Sequence, residues 1–329
     1  MSVLVLTESE LRQCVGLDHE ALEAVQNAFT WLADDKVVMP PIMHIEVAEN
    51  NGDVDIKSAF VKGFDSFAVI MGSGFFNNPR LGLPSSSAMM VLLSAKTGFC
   101  EAVLLDNGYL TDVRTGLAGA VAAKFLAPET VDTVGVIGTG AQARYQIKSL
   151  KLARDFERLL VSGRTSERTS AYIDEMHNAL GVDVVAVESV EQLVRESQIV
   201  VSTTPSREAL IEAEWLHPGL HITAMGSDLA GKQELAADVL GFADVLVCDR
   251  KSQCFSMGEL QRGLSAGIIT EESAIFELGE LTSGRVAGRR PPQDITVCDL
   301  TGTGVQDTAI ALVAYRKAMQ SGLGSKIDN

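Results

Sequence analysis

The sequence predicts an α/β protein in which a Rossmann-type, doubly wound parallel sheet is joined to a separate α+β domain. Three observations carry this prediction. First, Val131–Leu150 reads VDTVGVIGTGAQARYQIKSL, a β-branched run ending in Gly138-Thr139-Gly140 and passing at once into a helix-favouring segment. Second, strands and helices alternate from there to Asp299. Third, the strands before Tyr109 follow one another with short polar turns, the pattern of adjacent pairing. The predicted division is residues 1–127, with 307–329 returning to them, and residues 128–306.

In the central stretch, glycines at 138 and 140 permit a sharp turn and a close approach of a pyrophosphate to the backbone. Ala143, small in the third position, lets the helix pack on its own strand. The first helical amides lack internal partners and sit at the positive end of the helix dipole, so they attract phosphate. A GxGxxA string alone is weak; strand, turn, helix and a second strand at Leu159 in the right order give it weight.

The chain in order begins with Thr7-Glu8-Ser9-Glu10, which reads as a capping box opening a short helix. A second helix starts at Asp18, with Leu22, Val25, Phe29 and Leu32 on one face, and is expected to run to Met39-Pro40-Pro41. Strands follow at 42–47, 55–61 and 67–71, with Asn51-Gly52 as a hairpin turn. The stretch 74–87 is turn-rich, and strands resume at 90–94 and 102–105. Tyr109 to Thr115 leads into an alanine-rich helix that ends near Leu126, before Pro128. After the nucleotide strand, further strands are expected at 159–162, 183–187, 199–203, 221–224, 245–248 and 296–299, making a sheet of six or seven. A last helix spans about 306–319.

Composition narrows the function. With 43 acidic against 27 basic residues, the net charge of −16 disfavours nucleic acid and anionic membranes as partners. No apolar run approaches the roughly 18 residues of a membrane span, and no signal peptide is apparent. The five cysteines are dispersed without zinc-like spacing, which points to a reducing cytoplasm. The histidines form no metal pattern, so no metal is expected.

Three places could carry chemistry. Asp228 follows a glycine at a strand end, where such folds place ligands, and could act as a base or hold an ammonium; the alternative is an N-cap for a segment near Gly231. Arg114, read as lying just before the alanine-rich helix, could grip a carboxylate or phosphate; the alternative is an ion pair with Asp112 or Asp106. Arg164, Thr165, Ser166 and Arg168 stand where NAD-specific folds carry an acid, which suits the 2′-phosphate of NADP. An arginine there can also stack on adenine and leave NAD and NADP alike.

GVIGTGAQA, LTDVRTGLAGAVAAKFLA, AMGSDLAGKQEL and DLTGTGVQDTAIA together resemble the ornithine cyclodeaminase/μ-crystallin family over almost the whole chain. MPPIM, GFFNNPRLGLPS and LLDNGYLTDVRT resemble its ectoine-utilisation branch. The resemblance implies a homodimer built through the first domain, a site between domains, and NADP or NAD as cofactor. It implies an oxidoreductase acting on a small amino or imino acid, of imine-reductase or amino-acid-dehydrogenase type. A cyclodeaminase with recycled NAD and a non-catalytic, crystallin-like dinucleotide binder are the alternatives. Asp228 would then be the proton carrier, with Arg114 and Thr115 serving the phosphates and cleft. Ala141, Gln142, Thr204, Met225, Gly226, Ser227 and Lys232 would line the dinucleotide, with Ser85 and Thr301 as further matches. Two substrate-binding positions depart from the family pattern: His44 stands for an arginine and Ile70 for a lysine, leaving Lys57 or Lys62 as nearby cations. Activity on ornithine is therefore not expected.

Overall fold

The computed structural model describes residues 2–328, which fall into two compact units. One runs to Arg114 and resumes at Thr303; the other is Thr115–Gly302. The division thus falls inside a helix, whereas the sequence suggested Pro128.

The first unit begins with β1 (Ser2–Thr7), α1 (Glu8–Cys14), α2 (His19–Ala33), β2 (Val37–Val38), β3 (Met43–Val47) and β4 (Gly52–Val61). It continues with β5 (Ser66–Phe75), β6 (Ser86–Ser94), β7 (Cys100–Leu105) and the start of α3 (Tyr109–Leu126). The second unit holds β8 (Thr133–Ile137), α4 (Ala141–Leu150), β9 (Arg158–Ser162), α5 (Ser166–Leu180), β10 (Asp183–Ala186), α6 (Val190–Glu196) and β11 (Ile199–Ser202). There follow β12 (His221–Ala224), α7 (Ala237–Phe242), β13 (Val245–Cys248), α8 (Lys251–Met257), α9 (Glu259–Ser265), β14 (Ile275–Glu277), α10 (Leu278–Thr282) and β15 (Thr296–Asp299). Finally α11 (Gly304–Ser321) and β16 (Ser325–Asp328) complete the first unit.

In the first unit the strand order is β16-β1-β7-β6-β5-β4-β2, with β3 also paired to β4. Alternation buries Ala59, Val61, Ala68, Ile70, Met90, Leu92, Ala102 and Leu104 on one face. That face is covered by α11, which packs on β4 and β5. Its seating is specific: Thr308 Oγ1 donates to the Ala59 carbonyl at 2.8 Å and accepts from the Ala68 N–H at 3.2 Å. The Gly304 backbone lies against Ser58, where a Cβ would come 2.8 Å from the carbonyl oxygen. The opposite face leaves Met43, Ile45, Met89 and Leu105 exposed around a groove that includes Val54, Ile56 and Met71.

The second unit is an all-parallel, eight-stranded sheet ordered β10-β9-β8-β11-β12-β15-β13-β14. Ile147, Leu150, Tyr172 and Met176 from α4 and α5 pack with Val134, Val136, Leu159 and Val161. A second cluster joins Leu193, Val239 and Leu260 to Leu160, Val200, Ile222 and Val297. Helices therefore cover both faces, which is why these strands are apolar without alternation. From β8 the chain steps outward through β9 to β10, then returns to β11 on the other side of β8. The carboxyl ends of β8 and β11 consequently border a topological switch point, the crevice where such sheets bind ligands.

The α3 helix is mostly apolar after Thr115 and rich in small residues, which lets α4 come close. A Cβ on Gly116 would stand 2.7 Å from the Tyr145 carbonyl, and Gln146 Nε2 donates to the Thr115 carbonyl at 2.8 Å. Asp106 caps its start, accepting the Leu110 N–H at 2.9 Å.

Several expectations need correction. The α2 helix ends at Ala33, with Asp35 at φ 54°, so it stops before the prolines, and β2 lies between. The β5 and β6 strands extend to Phe75 and from Ser86, narrowing the irregular stretch. The terminal strands β1 and β16 and the three-residue β14 were missed; β14 raises the second sheet to eight. Each gains its identity from pairing rather than from a local pattern.

Candidate functional site

The glycine turn of the second unit has the form of a phosphate cradle. Gly138, at φ 113°, takes a conformation that disfavours side chains, and a Cβ there would meet Thr203 Oγ1 at 2.6 Å. At Gly140 a Cβ would meet nothing within 4 Å, so the N-terminus of α4 opens onto free space. Gly140 is also the N-cap and provides no side-chain acceptor, and α4 has no acid in its first turn. Thr139, Ala141 and Gln142 complete the turn beside it. These features fit a dinucleotide pyrophosphate.

Arg144, which the sequence reading passed over, holds the turn from behind. Its Nη1 donates to the carbonyls of Thr139 at 2.6 Å and Gly140 at 3.0 Å, while Nε donates to Glu175 at 2.5 Å. The guanidinium also lies 5.1 Å from the Tyr172 ring centre. With the carbonyls engaged on that side, the turn keeps its shape. Its signal was present, an arginine four residues after the second glycine.

The β9 strand ends at Ser162 with no carboxylate; Arg164, Thr165 and Arg168 are exposed there, and Glu167 is already in α5. On the far side of the switch point, Thr204 follows β11, and Met225-Gly226-Ser227-Asp228 follows β12. No helix begins near Gly231 for Asp228 to cap; the next helix is α7. Instead, Asp228 pairs with Lys232 Nζ at 2.5 Å, and Ser227 Oγ donates to the Lys232 carbonyl at 3.2 Å. The Thr301 hydroxyl is committed inward, donating to Asp249 at 3.0 Å and accepting from Gln253 at 2.8 Å.

Behind these turns lies a set of buried carboxyl groups. Glu234 accepts from Ser202 Oγ, Thr204 N and Gly226 N at 2.8, 2.5 and 2.7 Å. Glu259 accepts the N–H groups of Glu234 and Leu235 at 2.7 and 3.2 Å. Asp249 accepts those of Thr301 and Gly302, and Asp299 that of Leu260. Burial pushes Glu259 up to about 8, helped by the negative Asp299, and pushes Asp299 up to about 7. These residues were missed because an acid at a loop or an element's end reads as solvent-facing until its partners are known.

In the first unit, Arg114 lies inside α3, not before it, because the helix starts at Tyr109. Its Nε donates to Asp307 of α11 at 2.8 Å, so neither Asp106 nor Asp112 is the partner this pair required. Both side chains are buried, and the missed partner sits in the DLTGTGVQD motif. Ser85 donates no side-chain bond to the turn here, but its carbonyl accepts the Phe75 N–H at 2.7 Å.

His44, Lys57 and Ile70 fall on one sheet face. His44 stands across from Asp55, and Lys57 across from Ile70. His44 Nδ1 bonds Asp55 at 2.7 Å, which raises its pKa above the ordinary histidine value. Ile70 is buried, at 3% exposure, and brings no charge. Lys62 donates to the Asp35 carbonyl at 3.0 Å. Among the described residues no group of three His, Cys, Asp or Glu could hold a metal ion, and no helix is long and apolar enough to cross a membrane.

The sequence profile described as the ornithine cyclodeaminase/mu-crystallin family matches residues 1–322. An uncharacterised cyclodeaminase of Sinorhizobium fredii is 43% identical over 326 residues, covering 99% of this chain and 98% of its own. An archaeal alanine dehydrogenase dimer with bound NAD superposes with a TM-score of 0.93 at 34% identity, covering 100% and 99% of the two chains. The Δ1-pyrroline-2-carboxylate reductase of Thermococcus litoralis, in complex with NADH and L-proline, gives 0.94 at 30% identity, covering 99% and 100%.

The buried acids make stability depend on pH. Glu259 is raised from an ordinary value of 4.5 to about 8. Between those limits the folded state binds more protons than the unfolded one, so stability falls as pH rises through the window. Glu259→Gln, which imitates the protonated carboxyl, should flatten that decline in thermal melts from pH 5 to 8. Identical slopes for both proteins would contradict it.

Proposed function

Because the chain belongs to the ornithine cyclodeaminase/mu-crystallin family, we propose that it is an NAD(P)-dependent oxidoreductase acting on a small amino or imino acid. The observation that carries this reading is the open glycine turn at α4 with Asp228 at the end of β12, on the same edge of one parallel sheet. A bound nicotinamide supplies or takes the hydride. Asp228 gives or receives the accompanying proton, and Lys232 holds its carboxylate in position beforehand. Gly138 to Gln142 bind the pyrophosphate, while Thr204 and Met225 to Ser227 line the other end.

The adenosine end suits NADP, because Arg164, Thr165 and Arg168 offer charged and neutral donors where a carboxylate would repel a 2′-phosphate. The relatives solved with NAD or NADH keep the unphosphorylated cofactor as the alternative. Arg114, Thr115 and Lys57 serve the substrate side in this reading, with Arg114 oriented by Asp307. Ile70 and the Asp55-bound His44 leave fewer cations for a carboxylate than the family pattern provides, which argues against ornithine as substrate. The cyclodeaminase reading is favoured by the Sinorhizobium relative. It uses the same first half-reaction and differs in returning the hydride to the product. We place the protein in the cytoplasm, consistent with five free cysteines, and keep the ectoine-utilisation branch as the reading of its loop motifs.

The outer face of the first unit's sheet, with Met43, Ile45, Met89 and Leu105 exposed, is suited to pairing with a second copy. A homodimer is therefore proposed, as in the archaeal relative. Light scattering should give twice 35.1 kDa; a stable monomer at micromolar concentration would contradict it.

Nicotinamide absorbance tests the reaction, using small cyclic and linear imino acids with NADPH and, separately, ornithine with NAD. A net change with an imino acid and none with ornithine is expected. Turnover of ornithine at constant absorbance would replace the proposal by cyclodeaminase action. Asp228→Asn should slow turnover by about two to four orders of magnitude, with cofactor binding retained. Unaltered turnover would remove Asp228 from the mechanism.

A further inference from the structure

Glu234 is fully buried, yet it lies between the two turns that form one side of the switch-point crevice. One carboxylate oxygen accepts the Thr204 N–H, after β11; the other accepts the Gly226 N–H, after β12, and the Ser202 hydroxyl. A single side chain thus joins two strand-end turns whose last backbone bond runs from the Met225 N–H to the Ser202 carbonyl at 3.0 Å. Gly226 is pressed into this joint: a Cβ would stand 2.1 Å from the Thr204 carbonyl and 2.6 Å from the Glu234 carboxyl carbon. The glutamate is itself anchored. Its N–H donates to Glu259, and its carbonyl accepts from Leu210 at 2.7 Å and Ile211 at 3.1 Å.

We infer that Glu234 is a positioning residue for the nicotinamide half of the dinucleotide, acting through the Thr204 and Gly226 turns. The inference rests on the dinucleotide reading given above. In a doubly wound sheet the two halves of the fold each take one mononucleotide. The β8, β9 and β10 half carries the glycine turn and Arg164, so it takes the adenosine end. The β11 and β12 half, with Asp228, takes the nicotinamide. Two divergent N–H groups need two acceptor oxygens held on one rigid plane, and a carboxylate provides this where an amide cannot. Burial raises the pKa of Glu234, and hydrogen bonds from Thr204, Ser202 and Gly226 oppose that rise.

The experiment separates the two ends of the ligand. Wild-type protein and Glu234→Gln are titrated calorimetrically with NADPH and with 2′-phospho-ADP-ribose, which lacks nicotinamide; NADH and ADP-ribose form the parallel pair. Glutamine keeps the volume but turns an NH2 toward one of the two N–H groups. The variant should bind the complete dinucleotide about ten- to a hundredfold more weakly and the fragment within about twofold. Equal weakening of both ligands, or weakening of neither, would overturn the inference. If Glu234→Gln does not fold, Glu234→Asp, one methylene too short to span both turns, is held to the same criterion; failure of both to fold makes the residue purely structural and overturns the inference as well. Wild-type protein that binds none of the four ligands would instead defeat the dinucleotide reading.

Discussion

Backbone N–H groups at the carboxyl edge of a parallel sheet leave the ladder without partners, and how this chain disposes of them governs the rest of the second unit. At the α4 turn the Gly138 N–H donates to the Ser162 carbonyl at 2.9 Å, the space beside Gly140 stays open, and Arg144 holds the carbonyls of Thr139 and Gly140. At the other turns they are closed by buried carboxyl groups. Glu234 takes those of Thr204 and Gly226, Glu259 those of Glu234 and Leu235, and Asp249 those of Thr301 and Gly302. One turn is thereby prepared for an anion while its neighbours are fixed around it. Burying several acids is costly for stability, and the raised pKa values of Glu259 and Asp299 are the imprint of that cost.

The nucleotide turn was legible in the sequence because its causes are local. β-branched residues, the turn glycines 138 and 140 and the small Ala143 lie within Val134–Ala143, and each acts on its own neighbours. The same holds for the Asp18 cap of α2, whose side chain accepts the Ala21 N–H, and for the Asn51-Gly52 turn, where Asn51 adopts φ 49°. Arg114 could be singled out but not paired, since Asp307 is 193 residues away along the chain. Glu234 was overlooked for a related reason: its partners lie on two other turns, and a charged residue inside a KQEL string gives no sign of burial. The strands β1 and β16 exist only through each other and through β7.

The first unit carries His44 and Ile70, the two positions that the sequence reading set apart from the family pattern. The β3–β4 hairpin sets His44 against Asp55, so the imidazole is already engaged, and β4–β5 pairing sets Lys57 beside the apolar Ile70. A single lysine on that face, next to a buried isoleucine, is a different charge environment from a lysine and an arginine there. The exposed methionines and Ile45 lie on the opposite face, so in the proposed reading substrate chemistry and subunit pairing would draw on separate sides of one sheet.

A crystal structure of the protein with NADPH tests the central claim most directly. The account predicts the pyrophosphate against the N–H groups at Gly140 to Gln142, the 2′-phosphate beside Arg164, and the nicotinamide ring along Met225 to Asp228. A dinucleotide bound with its pyrophosphate away from the α4 turn, or with its nicotinamide on the β9 side, would contradict it.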